Sequence, residues 1–335
     1  MNLTLSEIQE ITFGAARVEA KEDGVHFYRF TKEQELLYKE RRDNFYKKTF
    51  STSGIQLRFR TDSQTLLLKV EVSVSSTRKY FAFDVFVDGE KLDSLNNFSD
   101  AELPVRCPKS DFPLGEHSKE FQLGAGEKEV CVVFPWSVVA VVKELALDDN
   151  SFIIPNKRSK KMLCFGDSIT HGYDALYPSN KYISKLAKML DAEEFNKAIG
   201  GEIYFPALAA TKEDFEPDYV VVSYGCNDWN RCAREEFTEN CKEFLTNIHK
   251  NYSASKVIVI APIWCKKSLE TRVFGSFEDV APIIREQAAP FDNMSVINGC
   301  EFVPQDEAYF TDGVHPNNAG FELYFENLAK AVSKL

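Results

Sequence analysis

The sequence predicts a parallel α/β sheet with helices on both faces, preceded by an all-β sandwich. Two observations carry this. From Phe13 to Leu147 the apolar pattern is mostly period two and is broken by short turn-rich stretches, as in a sandwich of short antiparallel strands. After Ser159, short apolar runs alternate with segments of helical spacing, the order that builds a parallel sheet covered by helices. Asp148 to Ser159 separates the two patterns. The expected division is residues 1–150 for the sandwich and 151–335 for the α/β domain.

Residues 1–12 read as a short helix or lead-in. Gly54–Arg60, Leu66–Val74, Phe81–Val87, Glu129–Phe134 and Val138–Leu147 read as strands, with Asp88-Gly89 as a hairpin turn signal. Thr61–Ser63, Leu95–Asp100 and Leu123–Gly126 read as turns. Together these strands suggest a jelly-roll-like sandwich. The charged stretch Thr31–Tyr46 reads as a helix or long loop carrying Phe30, Leu37 and Tyr38 inward. In the second half, strands are expected at 161–166, 194–196, 219–224, 256–261 and 295–298, and helices near 180–190, 235–250, 275–290 and 318–332. The 235–250 helix rests on Phe237, Cys241, Phe244, Leu245 and Ile248 at three- and four-residue spacing.

Met162–Phe165 runs as a buried strand into Gly166-Asp167-Ser168. Ser168 therefore stands where a strand hands over to a helix, at the carboxyl end where open α/β sheets bind ligands. A serine in such a turn is often only a cap. A serine nucleophile also needs a base, and the base needs an acceptor that fixes its tautomer. Asp312 and His315 stand three apart on one short loop and can deliver both. Between these ends lie Asn196-Lys197-Ala198-Ile199-Gly200-Gly201 and Gly225-Cys226-Asn227-Asp228.

These four blocks, in this order, resemble the SGNH (GDSL) hydrolases, a family of serine esterases and acylhydrolases with a three-layer α/β/α fold. The resemblance covers roughly residues 158–333. It implies Ser168 as nucleophile, His315 as base and Asp312 as its orienting acid. It also implies an oxyanion hole made by the backbone N–H groups of Ser168 and Gly201 and the side-chain amide of Asn227. Ile169 and Glu202 are small departures from the usual motif. Asp167 and Asp228 read as scaffold that satisfies local backbone donors, and His171 as pointing away from Ser168 or lining the rim. Tyr204, Trp229 and Trp264, which flank the site strands, are candidates for a substrate-binding wall, with core packing as the bland alternative.

An SGNH domain behind a β-sandwich resembles the arrangement of some two-domain carbohydrate esterases. The reading is therefore a serine ester hydrolase expected to remove a short acyl group, acetyl first, from a hydroxylated substrate such as a carbohydrate. A lipid or thioester acylhydrolase of the same fold is an alternative. So is a carbohydrate-binding protein with a degenerate hydrolase domain. The substrate partner is expected to be a small-molecule or oligosaccharide ester, and a homo-oligomer is left open.

Acids outnumber bases by 51 to 40, for a net charge of −11, which disfavours a nucleic-acid partner. No apolar run is long enough for a bilayer, and the first residues do not read as a secretory signal. With eight cysteines (107, 131, 164, 226, 232, 241, 265 and 300) spread through the chain, free thiols in a reducing cytoplasm are the simplest reading. No cofactor is expected. Cys226 and Cys232 would need two further ligands to hold a metal, so no metal is expected either.

Overall fold

The computed structural model describes residues 1–98 and 112–335. Ser99 and Asp100 of the expected turn and Cys107 lie outside the described residues.

Two antiparallel sheets form the first half. One runs Thr12–Phe13, Gln56–Thr61, Lys128–Val133, Ala82–Val87 and Glu90–Asn96 in spatial order, with Ile154–Pro155 also paired to Gln56–Thr61. The other runs Arg17–Lys21, Gly24–Tyr28, Val138–Leu147, Thr65–Val74 and Gly115–Gln122. Period-two alternation turns Leu66, Leu68, Val70 and Val72 from one sheet onto Leu57, Phe59, Val130 and Val132 from the other, in one buried apolar core. Six of these eleven strands fall outside the five runs that the sequence marks as strands. Gly115–Gln122, for instance, pairs in register with Thr65–Val72 through a largely exposed, charged face.

The second half is a five-stranded parallel sheet in the spatial order Ala192–Asn196, Lys160–Gly166, Tyr219–Ser223, Lys256–Ala261 and Met294–Asn298. The chain crosses from the second strand outward to each side, so the strand order reverses beside Lys160–Gly166, and the carboxyl end of that strand is the switch point of the sheet. The helices Tyr182–Met189 and Asn318–Val332 cover one face, and Arg234–Asn251 and Val280–Ala288 cover the other. Among the described residues no helix is long and apolar enough to cross a membrane.

Thr31–Tyr46 resolves into two helices, Lys32–Arg41 and Asp43–Thr49. Thr31 and Gln34 form a reciprocal capping box that starts the first. Phe30, Tyr38 and Phe45 pack into the core of the α/β half rather than of the sandwich. Both packing and strand pairing therefore cross the expected boundary near residue 150, since Ile154–Pro155 still joins the first sheet. Buried polar contacts weld the halves. Arg29, buried, donates to the carbonyls of Ser51, Asn196, Ala198 and Lys48 and to Ser51 Oγ, which occupies the guanidinium's five donors. Lys181 and Glu194, both without solvent exposure, pair at 2.8 Å, and Lys181 also donates to Ser53 Oγ at 2.9 Å.

Candidate active site

The strand Lys160–Gly166 ends in a turn that is capped by its own acid. Asp167 Oδ1 accepts the N–H of Ile169 at 3.0 Å and starts the single helical turn Ser168–His171. The loop before the last helix is ordered in a similar way. Asp312 Oδ1 accepts the backbone N–H groups of Val314 (3.0 Å) and His315 (2.9 Å). That turn folds the imidazole back onto the other carboxylate oxygen, with His315 Nδ1 2.8 Å from Asp312 Oδ2. His315 Nε2 then lies 2.8 Å from Ser168 Oγ. With Nδ1–H donating to the carboxylate, a neutral imidazole offers its Nε2 lone pair to the serine hydroxyl.

Burial works against charge on both members of the His–Asp pair, but their mutual attraction outweighs it. The hydrogen bond and charge of Asp312, with the further charge of Asp174, raise the His315 pKa above 6.5. Asp312, bonded to His315 and to two backbone N–H groups, is held well below the usual carboxylate range. Asp174 Oδ2 stands 3.8 Å from His315 Nδ1. It is fixed there from the sandwich: Arg78 Nε and Nη2 donate to its two oxygens at 2.7 and 2.9 Å, and the Tyr80 hydroxyl donates at 3.0 Å. Thr311 Oγ1 donates to it as well. Asp174, Asp312 and His315 are close enough together to suggest metal ligation. Their ligand atoms are already committed to Arg78, Tyr80, Thr311 and each other, and the Arg78 guanidinium, 3.5 Å from Asp312, supplies the cation.

Gly201 and Asn227 approach from the next two strand ends. Gly201 has φ +87°, a left-handed conformation open to glycine at little cost. Gly200 is tighter still, because a Cβ there would overlap the Tyr173 ring at 2.4 Å. Asn227 Nδ2 donates to Glu202 O at 3.1 Å and Asp167 Oδ2 at 3.3 Å, while its Oδ1 accepts from Arg231. The serine, the glycine block and the asparagine are thus tied to one another through Asp167 and Glu202. Asp228 sits behind them, accepting the N–H groups of Tyr204 and Gly225. Burial pushes its pKa up to about 7, and that of Asp167 to about 6.

Residues 164–323 match the family model for GDSL-like lipases/acylhydrolases. The chain carries a GDSL-like lipase/acylhydrolase domain. A 127-residue stretch, 34% of this chain, is 25% identical to an isoamyl acetate-hydrolyzing esterase of Schizosaccharomyces pombe and spans about half (50%) of that relative's length. Among solved structures, a salicylyl-acyltransferase, SsfX3, from a tetracycline biosynthetic pathway superposes with a TM-score of 0.78 at 18% identity, over 96% of this chain and 94% of its own. An acetyl xylan esterase from the rumen bacterium Butyrivibrio proteoclasticus gives 0.65 at 16% identity, over 100% and 98%. The sandwich followed by the GDSL-like domain is therefore an arrangement that recurs in solved structures.

Three sequence expectations are corrected. Tyr204 is fully buried among Tyr224, Phe237 and Phe244. Trp229 is 1% exposed, packs on Phe277 and donates its indole N–H to Gly275 O. Trp264 is nearly buried against Phe310. All three fill the layers around the GDSL-like sheet and offer no binding wall. His171 does point away from Ser168, but it is buried rather than at the rim. Its Nδ1 accepts the Gly200 N–H (3.1 Å), and Nε2 faces Ser51 Oγ (2.8 Å) and Trp136 O (3.0 Å). Burial, with Arg29 and Lys48 nearby, drives its pKa far below the ordinary value, so it joins the glycine block to the sandwich as a neutral ring. The seven described cysteines are free.

Sequence reasoning missed Arg78, Asp174 and Arg231. Arg78 and Asp174 are 96 positions apart and carry no motif. Arg231 had a signal: it follows Asn227 by four residues on one short helix, the spacing at which side chains meet.

Proposed function

We propose that the protein is a serine ester hydrolase that removes short acyl groups, acetyl first, from a hydroxylated substrate such as a carbohydrate. The observation that carries this is the continuous chain Asp312–His315–Ser168, with 2.8 Å at each link. In this reading His315 takes the Ser168 proton as the hydroxyl attacks the ester carbonyl, and returns it to the leaving alcohol. The acyl-enzyme is then released by water. The N–H groups of Ser168 and Gly201 would receive the developing oxyanion, joined by the Asn227 amide as it exchanges its long 3.3 Å bond to Asp167 Oδ2 for the substrate, and one such donor is worth ~3 kcal/mol, about 100-fold in rate. The acetyl and carbohydrate preferences draw on the likeness to the acetyl xylan esterase. Initial rates on p-nitrophenyl acetate, butyrate and octanoate test the reading. Rates should fall steeply with acyl length. A preference for octanoate would shift the substrate class to lipids, and an absence of turnover on all three would count against the hydrolase.

As general base, His315 must be neutral, so kcat/KM should rise with pH through a pKa above 6.5. Asp174→Asn removes a negative charge that favours the imidazolium, so the acidic limb should move to lower pH. Arg78→Gln removes an opposing positive charge, so the limb should move to higher pH. A purely structural role for the pair would lower rates in both variants without shifting the limb in opposite directions. pH–rate profiles of the two variants decide.

A further inference from the structure

Arg231 forks across the two residues that would flank the oxyanion. Its Nη1 donates to Gly201 O at 2.6 Å, and its Nη2 donates to Asn227 Oδ1 at 3.1 Å. Holding Oδ1 turns the Asn227 NH2 toward Asp167 and Glu202 O. The side chain itself is exposed. Two of the guanidinium's five donors are used, which leaves three for a ligand. Arg231 has no carboxylate partner among the described residues.

It is not alone. Phe45 lies 3.7 Å, and Arg231 Nη2 3.6 Å, from the point where a Gly201 Cβ would stand. Over Phe45 sit the exposed guanidinium of Arg42 and the ammonium of Lys48. Arg42 forms no ion pair among the described residues either. Lys48 donates to Gly200 O at 2.6 Å, and burial, then Arg231 and Arg42, bring its pKa down to about 8. Three cations thus converge on the glycine block of a chain whose net charge is −11.

The nearby acids do little to offset them. Asp312 and Asp174 are committed to His315 and Arg78. Glu202 pairs with Arg41 at 2.8 Å. Asp167 is buried under the Ser168 turn, and Asp228 is buried behind Asn227. An exposed guanidinium held rigid by two backbone-anchored acceptors, with its remaining donors free, is suited to a planar oxyanion.

Resting on the hydrolase reading above, we infer that the natural ester carries a negatively charged group within side-chain reach of its scissile carbonyl, and that Arg231, assisted by Arg42, recognises it. The shared chemistry is an anionic ester, with the charge either in the acyl group or in the alcohol.

Two matched pairs at low salt separate these sources: monoethyl succinate against ethyl butyrate for the acyl side, and 4-acetoxybenzoate against its methyl ester for the alcohol side. In one pair the wild type should favour the anion in kcat/KM by about tenfold or more, a charge-assisted contact, and 0.5 M salt should compress the ratio, roughly as screening requires. Arg42→Gln should lower that ratio without touching Asn227. Arg231→Gln should bring it near one and also slow the neutral esters, because Asn227 loses its anchor. A wild type that turns over p-nitrophenyl acetate and is labelled at Ser168 by a phosphonate, yet shows no anionic preference in either pair, would overturn the inference and leave the hydrolase standing. No turnover of any ester and no labelling would overturn both.

Discussion

Ser168→Ala is expected to lower kcat/KM on p-nitrophenyl acetate by about 10⁴-fold or more, since members of a serine–histidine–acid unit act together and removing the nucleophile alone forfeits most of the acceleration. The thermal midpoint should barely move. Among the described residues Ser168 Oγ hydrogen-bonds only with His315 Nε2, so the alanine leaves no buried donor stranded, and the helical turn keeps its cap through Asp167. A serine-directed phosphonate should label the wild type at Ser168 and leave the variant untouched. Retention of most activity by Ser168→Ala would eliminate the mechanism.

Lys181→Met is expected to cost about 3–5 kcal/mol of stability, because it leaves a charged carboxylate buried without its cation. Glu194 would keep Ser184 Oγ and Asn196 Nδ2 as donors, at 2.6 and 2.9 Å, but lose the ammonium. Restoring charge balance with Lys181→Met/Glu194→Gln should recover much of the loss. Denaturant midpoints of the two variants and the wild type measure this. A single variant as stable as the wild type would show that the pair contributes little at the interface.

The parts of the fold that repeat a period were legible in the sequence. The parallel strands and their helices follow from apolar runs and helical spacing, and the sandwich core follows from alternation. The motif blocks pointed to Ser168, Asp312 and His315, which the structure brings within hydrogen-bond reach of one another, whereas Gly201 and Asn227 came from the family resemblance alone. Illegible were contacts made by charged residues that no period constrains. Arg78 reaches Asp174, and Arg29 reaches the Asn196 and Ala198 carbonyls, only because two sheets built from distant segments are pressed together. The aromatic misreadings have the same source. Tyr204 and Trp229 follow the right segments, but the side-chain direction that sent them inward depends on helices packed above them.

The hydrogen bonds of Arg29 bear on how this two-part scaffold could change over evolutionary time. Its guanidinium is buried, and its acceptors come from both sides of the boundary. A recombination event that transplanted only the α/β half would strip the glycine block of that support and open Phe30, Tyr38 and Phe45 sites in its core. Exchanging either half alone would therefore require the incoming half to supply the same buried acceptors and apolar side chains.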